Sequence, residues 1–202
     1  MYYILIILIS YFLGSSSMSY YIAKWKGIDI QNKGSKNLGA SNAMIVLGWK
    51  SGILVGIHDI AKSALAVILA NAIFPHLQYA GAIAGISSVL GHIFPFYLKF
   101  KGGKGFASYL GMTMALNWKL GLIICVVIVL ATLITDYIVV GTTLTITIVP
   151  TVLGIITKSF ILSIILLIGT LVIIYKHRMN YVRIVKGTEI GFRSANRGEH
   201  RA

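Results

Sequence analysis

Three short runs carry most of the polar chemistry of this chain. The first is Gly34-Ser35-Lys36-Asn37-Leu38-Gly39-Ala40-Ser41-Asn42. Glycines let backbone N–H groups turn toward one point, and Ser35, Asn37 and Asn42 add side-chain donors, a pattern suited to an anion. A helix starting near Ser41 or Asn42 would add the positive end of its unpaired N–H groups. An ordinary solvent-exposed turn uses the same residue types. The second run is Gly91-His92-Ile93-Phe94-Pro95, followed by Lys99-Phe100-Lys101-Gly102-Gly103-Lys104-Gly105. Gly102, Gly103 and Gly105 surround Lys104, so an ammonium and several N–H groups could meet one phosphate. Leu98 and Gly105 stand where a Walker A motif needs Gly and Ser/Thr, so ATP binding is not indicated. A lipid-anchoring basic loop explains Lys99 and Lys101 but not three glycines. The third run is His177-Arg178-Met179-Asn180-Tyr181-Val182-Arg183, then Lys186-Gly187-Thr188-Glu189. If the last apolar stretch continues as a helix, His177 and Asn180 share a face. Imidazole can move a proton or bind phosphate, and the amide can donate. A juxtamembrane basic tail has the same composition.

Outside these runs, Asp59 and Lys62 stand three residues apart in an apolar stretch, where charges are costly and are paired or functional. They predict a structural salt bridge or the end of a polar cavity. His92 fits a helix-end hydrogen bond or a place in the site. His58 and His76 have no constellation around them. Cys125 is mid-stretch and apolar all round. No Asp/Glu/His grouping has metal-ligand spacing, and no G-x-S-x-G elbow or Cys–His pair is present, so neither a metal nor a covalent acyl-enzyme is suggested.

The elements that must position these runs follow from composition. The chain has 202 residues, 57% hydrophobic and only 11% charged, with mean hydropathy +0.85 and net charge +13. A soluble domain carries about 25% charged residues, and a disordered chain lacks this much apolar matter. A single cysteine excludes a disulfide scaffold. The reading is an all-α, polytopic membrane protein with a basic aqueous face. Its net charge is taken up by membrane lipids and phosphate rather than nucleic acid. A bilayer core needs roughly 20 apolar residues per helix, and about seven stretches qualify or come close: 1–22, 53–74, 78–98, 106–118, 120–135, 137–156 and 159–175, with the fourth and fifth short. With the N-terminus outside and the C-terminus cytoplasmic, the Lys and Arg of 24–50, 99–104 and 176–201 lie inside. Only Lys119 and Lys158 then lie outside, as the positive-inside rule asks. All three polar runs thereby meet the same face. Residues 1–193 read as one domain and 194–202 as a polar tail expected to be disordered.

Gly34-Ser35-x-Asn37-x-Gly39-Ala40-Ser41-Asn42, Gly91-His92-x-Phe94-Pro95 with Lys101-Gly102-Gly103-Lys104-Gly105, and His177-Arg178-x-Asn180 with Arg183 and Gly187-x-Glu189 resemble the three cytoplasmic motifs of the PlsY family. These are the bacterial acyl-phosphate-dependent glycerol-3-phosphate acyltransferases. The resemblance covers nearly the whole chain, including the Asp59-x-x-Lys62 pair. It implies transfer of an acyl group from acyl phosphate to the 1-hydroxyl of glycerol 3-phosphate, giving lysophosphatidate. The setting it implies is the cytoplasmic face of the bacterial cell membrane, with no cofactor and no metal. It also implies catalytic roles for Lys104, His177 and Asn180, and substrate binding by Ser35, Asn37, Gly39, Asn42, Gly102, Gly103, Gly105, Arg178 and Glu189. The chain departs from the family pattern at Ile45, where the family carries an Arg expected to help hold a substrate phosphate. It also departs at Gly14-Ser15-Ser16-Ser17, where G-S-[IL]-P is common, and at Ser63, where Gly is usual.

Two rival readings stand beside this one. A carrier of a phosphorylated solute could line a path with Asp59, Lys62, Thr142, Thr143, Thr145 and Thr147, although no inverted repeat is visible. A catalytically weakened paralogue could bind headgroups without efficient transfer.

Overall fold

The computed structural model describes residues 1–196, and these are helical with no strand among them. The chain divides into two compact units, Met1–Asn117 and a second beginning at Trp118. The first contains α1 (Tyr2–Ser15), α2 (Met18–Trp25), α3 (Ala40–Leu47), α4 (Trp49–Ile73), α5 (Ala80–Ile93), a 3-10 turn (Phe96–Leu98) and α6 (Phe106–Leu116). The second contains α7 (Trp118–Thr135), α8 (Ile138–Thr157), α9 (Phe160–Val185) and α10 (Phe192–Asn196).

Among the described residues, six segments are long and apolar enough to cross a membrane: Tyr2–Trp25, Trp49–Ile73, Ala80–Leu98, Trp118–Thr135, Ile138–Thr157 and Phe160–Val185. The stretch 106–118, expected as a fourth span, holds the 11-residue α6. At 1.5 Å per residue such a helix reaches only about half the thickness of a bilayer core. The stretch after it, expected to be short, forms the 18-residue α7, which is long enough.

The expected continuous first span is broken. Ser16 leaves the helical conformation, and Ser17 caps α2 by accepting from the Tyr20 N–H at 3.4 Å. Consecutive serines offer the backbone alternative hydrogen bonds, and Ser is a favoured N-cap. The break strands carbonyls in an apolar surrounding, where an unmet polar group is expensive. The Tyr97 hydroxyl donates to the Ser15 carbonyl (2.9 Å), and the Lys62 ammonium donates to that of Ser16 (2.7 Å). Helices α1 and α5 cross closely: a Cβ on Gly14 would strike the backbone of Ser88, and one on Gly91 that of Tyr11. Small residues let apolar helices approach in this way where no water drives them together. Helix α4 packs against α3, α5 and α6.

In the second unit α7, α8 and α9 pack in sequence. Pro150 lies inside α8, so the Ile146 carbonyl one turn before it loses its helical donor. Thr170 of α9 supplies the replacement, donating to Ile146 O at 2.7 Å, while Ser163 donates to the Pro150 carbonyl at 2.9 Å. Thr170→Val keeps the shape and removes the donor. It is expected to destabilise the protein by about 1–3 kcal/mol, the cost of one buried carbonyl left unmet. A thermal unfolding midpoint in detergent, compared with wild type, checks this.

After α9 the chain is tied back to the α7–α8 turn. The Asp136 carbonyl accepts from Phe192 N–H (2.7 Å), and its carboxylate accepts from Arg193 N–H (2.8 Å). The expected tail 194–202 therefore begins inside α10, and 197–202 lie outside the described residues.

Candidate active site

The first polar run is a loop folded around one side chain. Asn42 is fully buried. Its amide donates to the carbonyls of Ile30 (3.3 Å), Lys33 (3.2 Å) and Asn37 (2.7 Å), and its oxygen accepts from Ser35 N–H (2.7 Å). Every polar atom of Asn42 is thus spent on the loop. The side chain is an internal staple of the loop. Gly34 turns with φ +58°, and a Cβ there would strike the Asn42 amide oxygen, so the staple requires glycine. Ser35 is exposed, and its hydroxyl oxygen accepts from Asn37 Nδ2 at 2.7 Å, leaving the hydroxyl proton to donate. The Asn37 oxygen accepts from Gly39 N–H (2.9 Å), and Gly39 is the N-cap of α3. Leu38, 2% exposed, anchors the loop among Ile30, Ala43 and Leu98. Ile45 is 51% exposed on α3.

The second run lies against the first. Leu38 N–H donates to the Gly102 carbonyl (3.4 Å), and the Gln31 amide donates to that of Lys101 (2.9 Å). The glycines do not serve as the sequence suggested. Gly102 N–H donates to the Ile93 carbonyl (3.1 Å) and Gly103 N–H to that of His92 (3.2 Å). Both groups satisfy the carbonyl end of α5 rather than an anion. A Cβ on Gly102 would meet the His92 carbonyl, and one on Gly103 would meet the His92 ring. These two positions are glycine so that the strand of loop can lie on α5. Gly105, at φ +95°, is the N-cap of α6. Lys104 is half-buried between them.

Behind this loop sits a buried charge cluster that the sequence showed only in part. Asp59 and Lys62 are 2% and 4% exposed, and the expected ion pair is present at 2.7 Å. Lys62 Nζ has three acceptors: Asp59 Oδ1 (2.7 Å), Ser16 O (2.7 Å) and His92 Nδ1 (2.9 Å). Three N–H bonds meet three acceptors, which is what a buried ammonium requires. His58, expected to stand alone, holds Ser16 Oγ with Nε2 at 3.1 Å. Its Nδ1 lies 3.5 Å from Asp59 but makes no hydrogen bond, so Ser16, His58 and Asp59 are not an assembled nucleophilic triad. The sequence signal for this cluster was present in polar positions 58, 59 and 62 on one turn of α4, facing a serine run in the first span.

The third run belongs to the second unit. His177 and Asn180 are both buried on one face of α9, as their spacing predicts, whereas Arg178 is exposed. His177 Nδ1 donates to the Ile173 carbonyl at 2.9 Å, which puts the lone pair of the neutral ring on Nε2. Glu189 uses both carboxylate oxygens within the run: one accepts from Asn180 Nδ2 (2.5 Å), the other from Arg183 Nε (2.6 Å). It thereby clamps the Asn180 amide and the Arg183 guanidinium, in keeping with a scarce acid that orients a neighbouring cation. Arg178 lies over the Tyr175 ring (4.1 Å) and donates to the Tyr175 carbonyl (3.0 Å), so its guanidinium is held on the outer face of α9.

The fold is that of an all-helical, multi-pass membrane protein. A family model described as glycerol-3-phosphate acyltransferase matches residues 4–187. The chain is similar to glycerol-3-phosphate acyltransferase 1 of Oceanobacillus iheyensis, at 37% identity over 92% of each chain. It is also similar to the glycerol-3-phosphate acyltransferase of Clostridioides difficile, at 36% identity over 93% of this chain and 94% of that one. Among solved structures it resembles PlsY, an integral membrane glycerol 3-phosphate acyltransferase. The glycerol 3-phosphate form matches with 30% identity and TM-score 0.90, covering 97% of this chain and 98% of that one. The lysophosphatidic acid form matches with 29% identity and TM-score 0.83, covering 95% of each. The chain belongs to the glycerol-3-phosphate acyltransferase family.

Proposed function

We propose that this protein joins an acyl group from acyl phosphate to the 1-hydroxyl of glycerol 3-phosphate. The observation that carries the reading is the family match over 4–187, which takes in the first two polar runs whole, the third as far as Gly187, and parts of both structural units. The hydroxyl oxygen attacks the acyl carbonyl, the bond to phosphate breaks, and lysophosphatidate and inorganic phosphate result. The hydroxyl proton leaves with the phosphate, which as the leaving group of a mixed anhydride needs no separate acid.

Lys104 stabilises the departing phosphate and the oxyanion that precedes its loss. Ser35, oriented by Asn37, donates its hydroxyl to a headgroup oxygen. His177 Nε2 receives the acceptor hydroxyl as a hydrogen-bond donor and aligns it for attack. Arg183 and Asn180, held by Glu189, bind the acceptor phosphate. Alignment of this kind can supply up to about 7–11 kcal/mol in ideal cases. With the short α6 and the residues flanking it taken as a seventh crossing, an odd number that sets the termini on opposite sides, the N-terminus faces outward and the polar runs face the cytoplasm of a bacterial cell, a sidedness supported by where Lys and Arg fall. Residues 1–193 act as one acyltransferase domain.

Three of the four threonines that could have lined a carrier's path turn back on their own helix. Thr143, Thr145 and Thr147 donate to the carbonyls of Val139, Gly141 and Thr143. Purified protein given acyl phosphate and glycerol 3-phosphate is expected to form lysophosphatidate. Acyl-CoA and acyl carrier protein conjugates, supplied in parallel, identify the donor. Absence of product with every donor, together with solute flux in proteoliposomes, would favour the carrier instead.

Ile45 gives a second test. It is exposed, so an arginine can be placed there without displacing core. A restored guanidinium can grip a phosphate through two hydrogen bonds. Ile45→Arg is expected to lower the KM for a phosphorylated substrate about tenfold, or roughly 1.4 kcal/mol. Unchanged kinetics would mean that another cation already fills this role.

A further inference from the structure

If the glycine loop holds a phosphoryl group, its donors have to be found, because Gly102 and Gly103 spend their N–H groups on α5. The ring of His92 lies against this loop: a Cβ on Gly103 would meet Nε2 before any other atom. The Nε2 edge therefore faces the residue that precedes Lys104. The other ring nitrogen, Nδ1, lies 2.9 Å from Lys62 Nζ and 3.3 Å from Asp59 Oδ1. Only one assignment satisfies the group as a whole. Lysine ammonium donates and never accepts. With its other two protons on Ser16 O and Asp59 Oδ1, the third goes to His92 Nδ1, which must then present a lone pair. A proton on Nδ1 would face the ammonium and leave Lys62 one acceptor short.

We propose that the Asp59–Lys62 pair fixes His92 as the neutral ring protonated on Nε2, and that this N–H is a donor to the phosphoryl group seated beside Gly103 and Lys104. The inference rests on the acyl-transfer reading for the identity of that group. Asp59 and Lys62 act through His92 and are positioning residues. Their burial behind the loop explains why a small membrane protein keeps two opposite charges in its interior. The same ammonium meets the Ser16 carbonyl at the break in the first span, so the pair serves the fold as well as the ring of His92. The donor is neutral and cannot follow the leaving phosphate, so it adds a hydrogen bond without adding to the charge that Lys104 already supplies.

Two measurements test this. Long-range proton–nitrogen spectra of protein labelled with 15N-histidine, in detergent micelles, report which ring nitrogen of each histidine carries the proton. The His92 signals are identified by their loss in His92→Asn. Wild type is expected to show Nε2–H, and Lys62→Met is expected to disturb it. A proton on Nδ1, or on both nitrogens, in wild type would overturn the proposal.

The second measurement is kinetic. His92→Asn keeps an oxygen where Nδ1 accepts from Lys62 but has nothing at the Nε2 position. His92→Gln reaches the Nε2 position with an amide N–H. The Asn variant is expected to lose about 10- to 100-fold in kcat/KM, as a hydrogen bond to a charged group warrants. Its thermal midpoint is expected to stay near that of wild type, and the Gln variant to recover most of the loss. Unchanged kinetics in the Asn variant, or Gln no better than Asn, would overturn the donor role. If wild type forms no lysophosphatidate at all, the acyl-transfer reading fails and the phosphoryl role falls with it, while the spectra still decide the tautomer.

Discussion

Lys104→Ala is expected to lower kcat for acyl transfer about 100- to 1,000-fold, the usual cost of removing one preorganised donor from a developing oxyanion. The reason lies in what surrounds it. The backbone N–H groups of Gly102 and Gly103 are committed to the Ile93 and His92 carbonyls, so these two donors cannot stand in for a lost ammonium. Lys104 also directly precedes Gly105, the N-cap of α6, where the positive end of that helix reinforces it. The glycines and Leu38 anchor the loop through contacts that the substitution leaves in place. Lys104→Arg keeps the charge but spreads it over a plane, and intermediate activity is expected. Single-turnover assays with saturating acyl phosphate, run beside thermal midpoints, separate the chemical step from folding. Near-normal turnover in the alanine variant would remove Lys104 from the mechanism.

What could be read from the sequence was residue type and spacing; what could not was the destination of each hydrogen bond. Apolar length marked the spans, because a bilayer imposes a minimum that composition reveals. Helical spacing put His177 with Asn180 and Asp59 with Lys62, because three residues make nearly one turn. The roles of Gly102 and Gly103 are not legible from residue type, for a definite reason. A glycine is required equally where an N–H must reach a ligand and where two backbones touch, and only the partner distinguishes them. Gly102 and Gly103 belong to the second case. Asn42 and Glu189 show the same ambiguity, since a polar side chain that builds a loop has the composition of one that binds a ligand. The helix break at Ser16 escaped notice because an uncharged serine run barely lowers hydropathy. Its compensating partner, Lys62, lies 46 positions away in the chain.

Lys62→Met is expected to cost about 3–5 kcal/mol of stability, the range found when one partner of a buried ion pair is removed. Methionine nearly matches the volume of the lysine stem, so the loss is polar rather than steric. Three groups lose their donor at once: the Asp59 carboxylate, the Ser16 carbonyl at the break in the first span, and His92 Nδ1. Asp59 suffers most, since its second oxygen, Oδ2, already has no hydrogen-bond partner. Asp59→Leu combined with Lys62→Met removes both charges and should recover part of the loss, because no ion is then left buried alone. It should not recover all of it, because Ser16 O still lacks its donor. Equilibrium unfolding in mixed detergent micelles is expected to rank wild type above the double variant and the double variant above Lys62→Met. The double-mutant cycle, completed with Asp59→Leu, isolates the coupling between the two charges. If Lys62→Met unfolds at the same detergent fraction as wild type, the ammonium is not holding the break, and the close approach of α1 to α5 through Gly14 and Gly91 must hold it instead.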